Sequence, residues 1–413
     1  LLGQEYCQNR IATAEREREG EVTNWASRLS LLEQYSSVGR NLLAVEEAVQ
    51  QGAPKVRVMS YNIMYDNQNL RKKALKWMNR LTKISNQIRS ADVDFAGLQE
   101  VQHHQLEHLR EALPEYSVVG VGRDDGAEGG EYNPILFHSG RYAAVGNGTF
   151  WLSETPLEAG SVGWDADLPR IVTWVRLARV GAAAAPGDGA LYVATQERDV
   201  VVMNTHFDHA GPVSREESAG VLLRAVAQLE GVAVADGSLG FGGADEVGGA
   251  ADLAGAADCE PEFPPHLPAT GAASRPLVLI TGDFNEEAGA AAYQQLSSGV
   301  RHTDPTTGKE TVVPLRESRE VAIQKPFGPP HSFTGLRSEF RKNIDFVWVT
   351  GAVQCPYAVQ ADCASQVLLD LPPVRPQESP LAFVLRSTVV PQEWTDKTIA
   401  SDHAAVLADI VYL

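Results

Sequence analysis

The sequence has no long hydrophobic run. No stretch approaches the roughly 18 to 20 apolar residues that a membrane-spanning helix needs, and neither a signal peptide nor a basic amphipathic presequence is visible at the start. Cysteine is sparse. The four present, Cys7, Cys259, Cys355 and Cys363, show no metal-site spacing and are too few for a disulfide framework in a chain of 413 residues. Cys355 and Cys363 pair only in an oxidising compartment and are free thiols otherwise. Positive charge is also short: 35 Lys and Arg stand against 53 Asp and Glu, a net charge of −18. Nonspecific binding to nucleic acid depends on neutralising phosphates with Lys and Arg, so this balance argues against such a partner unless a local basic groove offsets it. A Gly-x-Ser-x-Gly elbow, a P-loop and an internal repeat are all missing, which disfavours a serine hydrolase and a P-loop nucleotide enzyme.

What is present is a chain with 44% hydrophobic residues, enough to fill a sizeable core. It begins at Leu1, which fits a processed protein of an organelle or of the secretory route, with a cytoplasmic protein as the alternative. The sequon Asn147-Gly148-Thr149 matters only if the protein is secreted. Residues 1–53 read as an N-terminal helical extension, with apolar residues such as Trp25, Leu29, Leu32 and Leu42 at helical spacing; it packs on the domain's own surface or docks on a protein partner through residues 1–50. Residues 54–413 read as one domain. Within it, residues 231–275 are dominated by Gly, Ala, Asp and Pro and read as a flexible insertion.

Several apolar runs in the domain stop at conspicuous polar residues. The longest is Leu277-Val278-Leu279-Ile280-Thr281-Gly282-Asp283-Phe284-Asn285, a pattern that suits a strand covered on both faces and delivering polar groups at its end. Asp283 and Asn285 are one residue apart, so on an extended backbone they leave on the same side, with Phe284 turned away. Runs ending at Asn62, Glu100 and His206, and one passing through Asp345, have the same character. Between the strands the spacing predicts helices over about 69–90, with Leu75, Met78, Leu81, Ile84 and Ile88 on the apolar face, and over about 102–113. A third helix over about 214–229 carries Ser214 and Glu217 as a capping box. Strands are expected near 116–121, 135–137 and 171–177. Trp151 and Trp164 read as exposed aromatics of a loop, able to line a pocket.

The polar set is rich in oxygen, holds two imidazoles and contains no cysteine, which suits Mg²⁺ or Mn²⁺ better than a structural zinc. Taken singly, a strand-end Asp or Asn is usually a turn former or a helix cap, and a lone His is usually structural. Their order changes the reading. Tyr61-Asn62-Ile63, Leu98-Gln99-Glu100-Val101, Asn204-Thr205-His206, Gly282-Asp283-Phe284-Asn285, Ile344-Asp345-Phe346 and Ser401-Asp402-His403 together resemble the endonuclease/exonuclease/phosphatase superfamily of DNase-like, metal-dependent phosphoesterases. The stretches 122–126, 151–156 and 163–165 are similar to those of a branch of predicted hydrolases separate from the DNA-repair and deadenylase branches.

This resemblance implies a four-layer α/β/β/α sandwich with two packed mixed sheets. It implies Glu100 as the main metal carboxylate, with Asn62 and Asp402 completing or supporting the metal sphere. Asp283 would orient or deprotonate the attacking water, Asn285 would hold the phosphate or that water, His206 and His403 would bind nonbridging oxygens, and Asp345 would orient His403. Arg170, Arg123, Asn133 and His209 are expected as substrate contacts or their supports. The activity implied is Mg²⁺- or Mn²⁺-dependent hydrolysis of a phosphoric ester, by a phosphatase or phosphodiesterase, in a small phosphorylated metabolite such as a sugar phosphate. A nuclease of the same fold and an accessory subunit retaining an ancestral site are the alternatives.

Overall fold

The apolar runs become the central strands of two sheets because each buries both of its faces. The computed structural model describes residues 53–69, 75–180, 198–229, 276–303, 310–323, 326–334, 342–352, 382–390 and 400–412. Residues 1–52 of the expected extension, the insertion at 231–275 and all four cysteines lie outside them. One six-stranded sheet runs, in spatial order, β15 (Ala382–Val389), β16 (Val406–Tyr412), β1 (Lys55–Asn62), β2 (Phe95–Gln99), β6 (Ile135–His138) and β4 (Tyr116–Val119). The other runs β13 (Leu315–Glu317), β14 (Asp345–Thr350), β10 (Leu277–Asp283), β9 (Val200–His206), β8 (Ile171–Arg179) and β7 (Tyr142–Trp151). Two small ladders pair β3 (Val101–Gln102) with β5 (Glu131–Tyr132), and β11 (Val300–Thr303) with β12 (Glu310–Val313). The described helices are α1 (Trp77–Ala91), α2 (His103–Ala112), α3 (Pro212–Leu229), α4 (Ala291–Ser297) and the single turn α5 (Ser318–Val321).

Three apolar cores separate four layers. Trp77, Ile84 and Ile88 of α1 and Leu106 and Leu109 of α2 pack on Met59, Tyr61, Ala96 and Leu98 of the first sheet. Val56, Val58 and Phe95 meet Val202, Leu277, Leu279 and Val347 between the sheets. Leu222 and Val226 of α3, with Tyr293 and Leu296 of α4, cover Val201, Met203, Ile280 and Trp348. Burying each such aliphatic side chain stabilises the fold by about 1.5–3 kcal/mol, so the helices are fixed to their sheets by these contacts. The expected α/β/β/α sandwich with two mixed sheets is the observed architecture.

Strand parity then decides where the polar groups emerge. In β10, Leu277 and Leu279 enter the middle core and Val278 and Ile280 the outer one, so Thr281 and Asp283 continue into the space between the sheets. The same alternation carries Asn62 in β1, Gln99 in β2, His206 in β9 and Asp345 in β14 to that side. β1 and β2 are parallel, as are β9 and β10, while β16 and β14 run antiparallel to their neighbours β1 and β10. The parallel strands therefore end, and β14 and β16 begin, at one rim of the sandwich, where open α/β sheets usually bind ligands. Registers agree: Asn62 faces Gln99, and Asp283 faces both His206 and Asp345.

The fold corrects several local expectations. Met78 is 60% exposed, and the buried stripe of α1 is Trp77, Arg80, Ile84, Ser85 and Ile88. The third helix starts at Pro212, a residue suited to the first helical position. Ser214 therefore sits inside the first turn, its backbone N–H bonded to Asp165 Oδ1 at 2.6 Å and its hydroxyl without a partner among the described residues, so the cap is supplied by Asp165 from another loop. Trp151 ends β7 and is 1% exposed, with its indole N–H donated to the Arg123 carbonyl at 2.7 Å, while Trp164 packs against the outer core. Neither Trp is the exposed loop aromatic the sequence predicts. The strand expected over 116–121 stops at Val119. Asn285 has left the extended conformation, with φ 49°.

Candidate active site

At the rim, an Asp283 carboxylate oxygen stands among groups from β1, β9 and the segment before β16. Its Oδ2 accepts the Asn62 amide at 3.0 Å and lies 3.6 Å from Nε2 of both His206 and His403. Those two separations exceed hydrogen-bond range, so neither imidazole is bonded directly to this oxygen. Its Oδ1 accepts the backbone N–H of Asn285 at 2.9 Å, closing a tight turn in which Asn, more than most residues, tolerates the positive φ. Burial, then the nearby Asp345 carboxylate, pushes Asp283 up to about 6.

Glu100 follows β2 with φ 60°, a backbone conformation that is costly for a side chain of this kind and that turns its carboxylate back over the rim. Oε1 accepts from Asn62 at 2.9 Å and Oε2 from the Tyr65 backbone at 3.1 Å. Burial, followed by the charges of Asp402 and Glu131, pushes it up to about 7. Asn62 thus donates to both carboxylates while its own oxygen accepts the Met64 N–H at 3.0 Å. Turning that amide would present its oxygen to the carboxylate side and release Met64. Asp402 is partly buried, and its carbonyl accepts from the backbone and hydroxyl of Thr334 at 2.8 and 2.9 Å.

The two imidazoles differ in charge. Burial disfavours the His403 cation, but the Asp345 and Asp283 carboxylates outweigh it and hold the ring protonated well above the usual histidine range. Its Nδ1 meets Asp345 Oδ2 at 2.8 Å, and Asp345 is held by its backbone N–H to Ser332 Oγ at 3.1 Å. His206 goes the other way: burial, then Arg170 and Arg123, keeps it neutral. Its Nε2 accepts from Asn285 Nδ2 at 3.0 Å, which places the ring proton on Nδ1.

The four expected substrate contacts lie around the end of β8. Arg170 is buried and bonded through Nε to Asp208 Oδ2 at 3.2 Å and through Nη2 to His209 Nδ1 at 3.1 Å. Arg123 donates to Glu131 Oε2 at 2.8 Å. Asn133 is buried and donates to the Ile171 carbonyl at 3.0 Å, tying the two sheets together, and His209 is half exposed at the mouth.

The sequence matches the model of the endonuclease/exonuclease/phosphatase family over residues 59–403. The chain belongs to this family. An endonuclease/exonuclease/phosphatase from Bacteroides vulgatus is similar in structure, with 24% identity and a TM-score of 0.57 over 86% of this chain and 98% of that one. A mannosyl-6-phosphatase from Bacteroides thetaiotaomicron gives 24% identity and 0.57 over 86% and 99%. A conserved protein of unknown function from Enterococcus faecalis gives 19% and 0.56 over 86% and 99%. At these identities the likeness shows the fold. No curated protein matches the sequence.

Members of the endonuclease/exonuclease/phosphatase family hydrolyse phosphoester bonds, usually with a divalent metal, and the rim residues fit a hard cation. Ligand atoms of Glu100, Asp283 and His403 lie within 4.8 Å of one another. Two carboxylates raised by burial are the groups a cation would stabilise in ionised form. The charged His403 has no lone pair to offer, so the oxygen donors of the group are the ones that suit the ion.

Beneath the rim lies a buried polar layer that the sequence reading passes over. Asn204 donates to the carbonyls of Leu98 and Pro134 at 2.6 and 3.0 Å, and its oxygen accepts from Gln99 Nε2 at 2.6 Å and Thr281 Oγ1 at 3.0 Å. This network fixes the spacing of the two sheets just below the site. Gly97 is required there, since a Cβ would sit 2.0 Å from Thr281 Oγ1 and 2.7 Å from Asn204 Oδ1. Arg80, fully buried, donates to the carbonyls of Leu75, Met64 and Ala400 at 2.9, 2.9 and 3.0 Å, joining the loop after Asn62 to the loop before His403. An Arg on the apolar stripe of α1 is the signal that could have exposed this link.

Proposed function

We propose that the protein is a Mg²⁺- or Mn²⁺-dependent phosphoric ester hydrolase acting on a small phosphorylated metabolite, of which a sugar phosphate is the leading class. The observation that carries this is Asp283 Oδ2, set 3.6 Å from two imidazole Nε2 atoms and bridged by Asn62 to Glu100. A carboxylate near pH 6 suits a base that takes a proton from water at neutral pH. His403, charged and steered by Asp345, donates its Nε2 proton to a nonbridging oxygen as negative charge builds up there. Asn285 fixes His206 and the backbone around it, so the water and phosphate are held in line for displacement at phosphorus. Glu100, with Asn62 and Asp402 around it, would hold the cation, which supplies charge neutralisation on the phosphate oxygens.

A small substrate is supported by the net charge of −18, which works against a polyanion, and by the family's mannosyl-6-phosphatase member of the same fold. Trp151 is buried and offers no ring for a sugar to stack on. The expected outcome is phosphate release from one or more of a panel of sugar phosphates with Mg²⁺, abolished by EDTA and restored by Mn²⁺. Cleavage of single- or double-stranded nucleic acid at low salt, with every sugar phosphate left intact, would instead point to a nuclease.

A further inference from the structure

Beside the rim, three buried N–H groups have no partner among the described residues: Arg170 Nη1, Arg123 Nε and His206 Nδ1. Buried donors are normally satisfied, so three in one neighbourhood point to a ligand. Their side chains are held in place by other bonds. Arg170 is 3% exposed and is fixed by Asp208 and His209; Arg123 is 8% exposed, fixed by Glu131, with its carbonyl pinned by Trp151. The Arg123 Nε is 3.8 Å from Asp124 Oδ1, too far for a hydrogen bond.

The topology puts all three at one end of β8. Val172 faces Thr205, so Ile171 lies at the level of His206 and Arg170 just beyond it. The Ile171 carbonyl accepts from Asn133, which lies two residues from Glu131, the partner of Arg123. The electrostatics agree. After burial, the second guanidinium is the main influence against the charge of Arg170, and both arginines hold His206 neutral. Two adjacent buried cations with unused donors suit a ligand that spreads negative charge over several oxygens.

A phosphodiester offers two nonbridging oxygens and one charge, whereas a monoester offers three and, above a second pKa of about 6, nearly two charges. We propose that Arg170 and Arg123 bind the third anionic oxygen of a terminal phosphate, so that the site selects phosphate monoesters over diesters. This rests on the phosphoester reading above and narrows it to a phosphatase. A site built to satisfy charged donors rejects a ligand that leaves them unpaired.

The test uses the full chain with Mg²⁺ at pH 8. Binding of inorganic phosphate and of dimethyl phosphate is measured by titration calorimetry, and kcat/KM is measured for 4-nitrophenyl phosphate and for methyl 4-nitrophenyl phosphate, which share a leaving group. The wild type is expected to bind phosphate about 100-fold more tightly than dimethyl phosphate. Arg170→Met removes most of that preference and lowers kcat/KM on the monoester far more than on the diester. Arg170→Lys keeps a cation against the buried Asp208 and so guards the fold, but it loses the planar fork, and its preference falls as well. Equal binding of the two anions by the wild type, or an equal loss on both substrates in a folded Arg170→Lys, overturns the assignment. If neither ester is turned over while the preference for phosphate and its loss in Arg170→Lys persist, the arginine assignment holds and the hydrolase reading fails. Turnover of both esters with no preference does the reverse.

Discussion

Asp283→Asn is expected to lower phosphate release by about 10²- to 10⁴-fold at saturating substrate and cation, the range a positioned proton acceptor contributes. The substitution keeps volume and leaves an oxygen able to accept the Asn285 N–H, so the turn after β10 survives. What it removes is the basic oxygen 3.6 Å from both imidazoles and one of the two carboxylates that hold His403 charged. On the proposed reading the loss should fall on kcat, because Glu100, Arg170 and Arg123 would still bind the ground state. Steady-state kinetics beside a circular-dichroism melt separates this from misfolding. Retention of more than about a tenth of wild-type kcat by a folded variant would remove Asp283 from the proton-accepting role, given the size of effect such groups have.

The second large effect concerns Glu100 and pH. Its carboxyl moves from an ordinary 4.5 up to about 7 in the folded chain, and that of Asp283 from 3.8 to about 6. The folded state therefore holds these protons more tightly than the unfolded state does. Their contribution to stability is greatest at acid pH and is lost as pH rises through the interval between the two sets of values. His403 acts in the same direction, since its favoured cation is lost only as pH rises through its raised value, while His206, held neutral in the fold by burial and the arginines, offsets part of the fall below its ordinary 6.5. In EDTA, the melting temperature should fall between pH 5 and pH 8, and Glu100→Gln should flatten part of that fall. A divalent cation opposes it, because the ionised carboxylates are the form that binds. At about 100 times its dissociation constant the ion should stabilise the wild type by about 2.7 kcal/mol. Glu100→Gln should lose most of that gain. A wild-type melting temperature in EDTA that rises from pH 5 to pH 8, or a Glu100→Gln variant stabilised as strongly as wild type, would contradict the placement of the ion.

The strands are the part of the fold most legible in the sequence. β9, β10 and β14 are buried on both faces, so their apolar runs are continuous and stop where the chain reaches the rim. The same period of two carries Asn62, His206, Asp283 and Asp345 to one cleft, and the order of the motifs adds Glu100 and His403 to it. Local periodicity does not reveal which distant group satisfies a buried donor. Arg80 on α1 takes a place that hydropathy gives to Met78, because its guanidinium finds carbonyls as far away as Ala400. Asp165 caps α3 from 49 positions upstream of Ser214, so the local capping-box pattern misleads. Asn204 reads as part of a motif, yet its bonds to Gln99 and Thr281 span 105 and 77 positions and exist only once the sheets have packed. Trp151 reads as a loop residue because Gly146-Asn147-Gly148 looks like a turn just before it, yet β7 runs through that stretch to Trp151.

The most direct test is a crystal of the full chain grown with Mn²⁺ and inorganic phosphate, examined at an energy where manganese scatters anomalously. The expected result is an anomalous peak on the Glu100 carboxylate and a tetrahedral anion between Asp283 Oδ2, His403 Nε2 and the His206–Arg170 side of the rim. Manganese bound elsewhere, with the Glu100 carboxylate still held by Asn62 and the Tyr65 backbone, or an anion that avoids both imidazoles, would contradict the account.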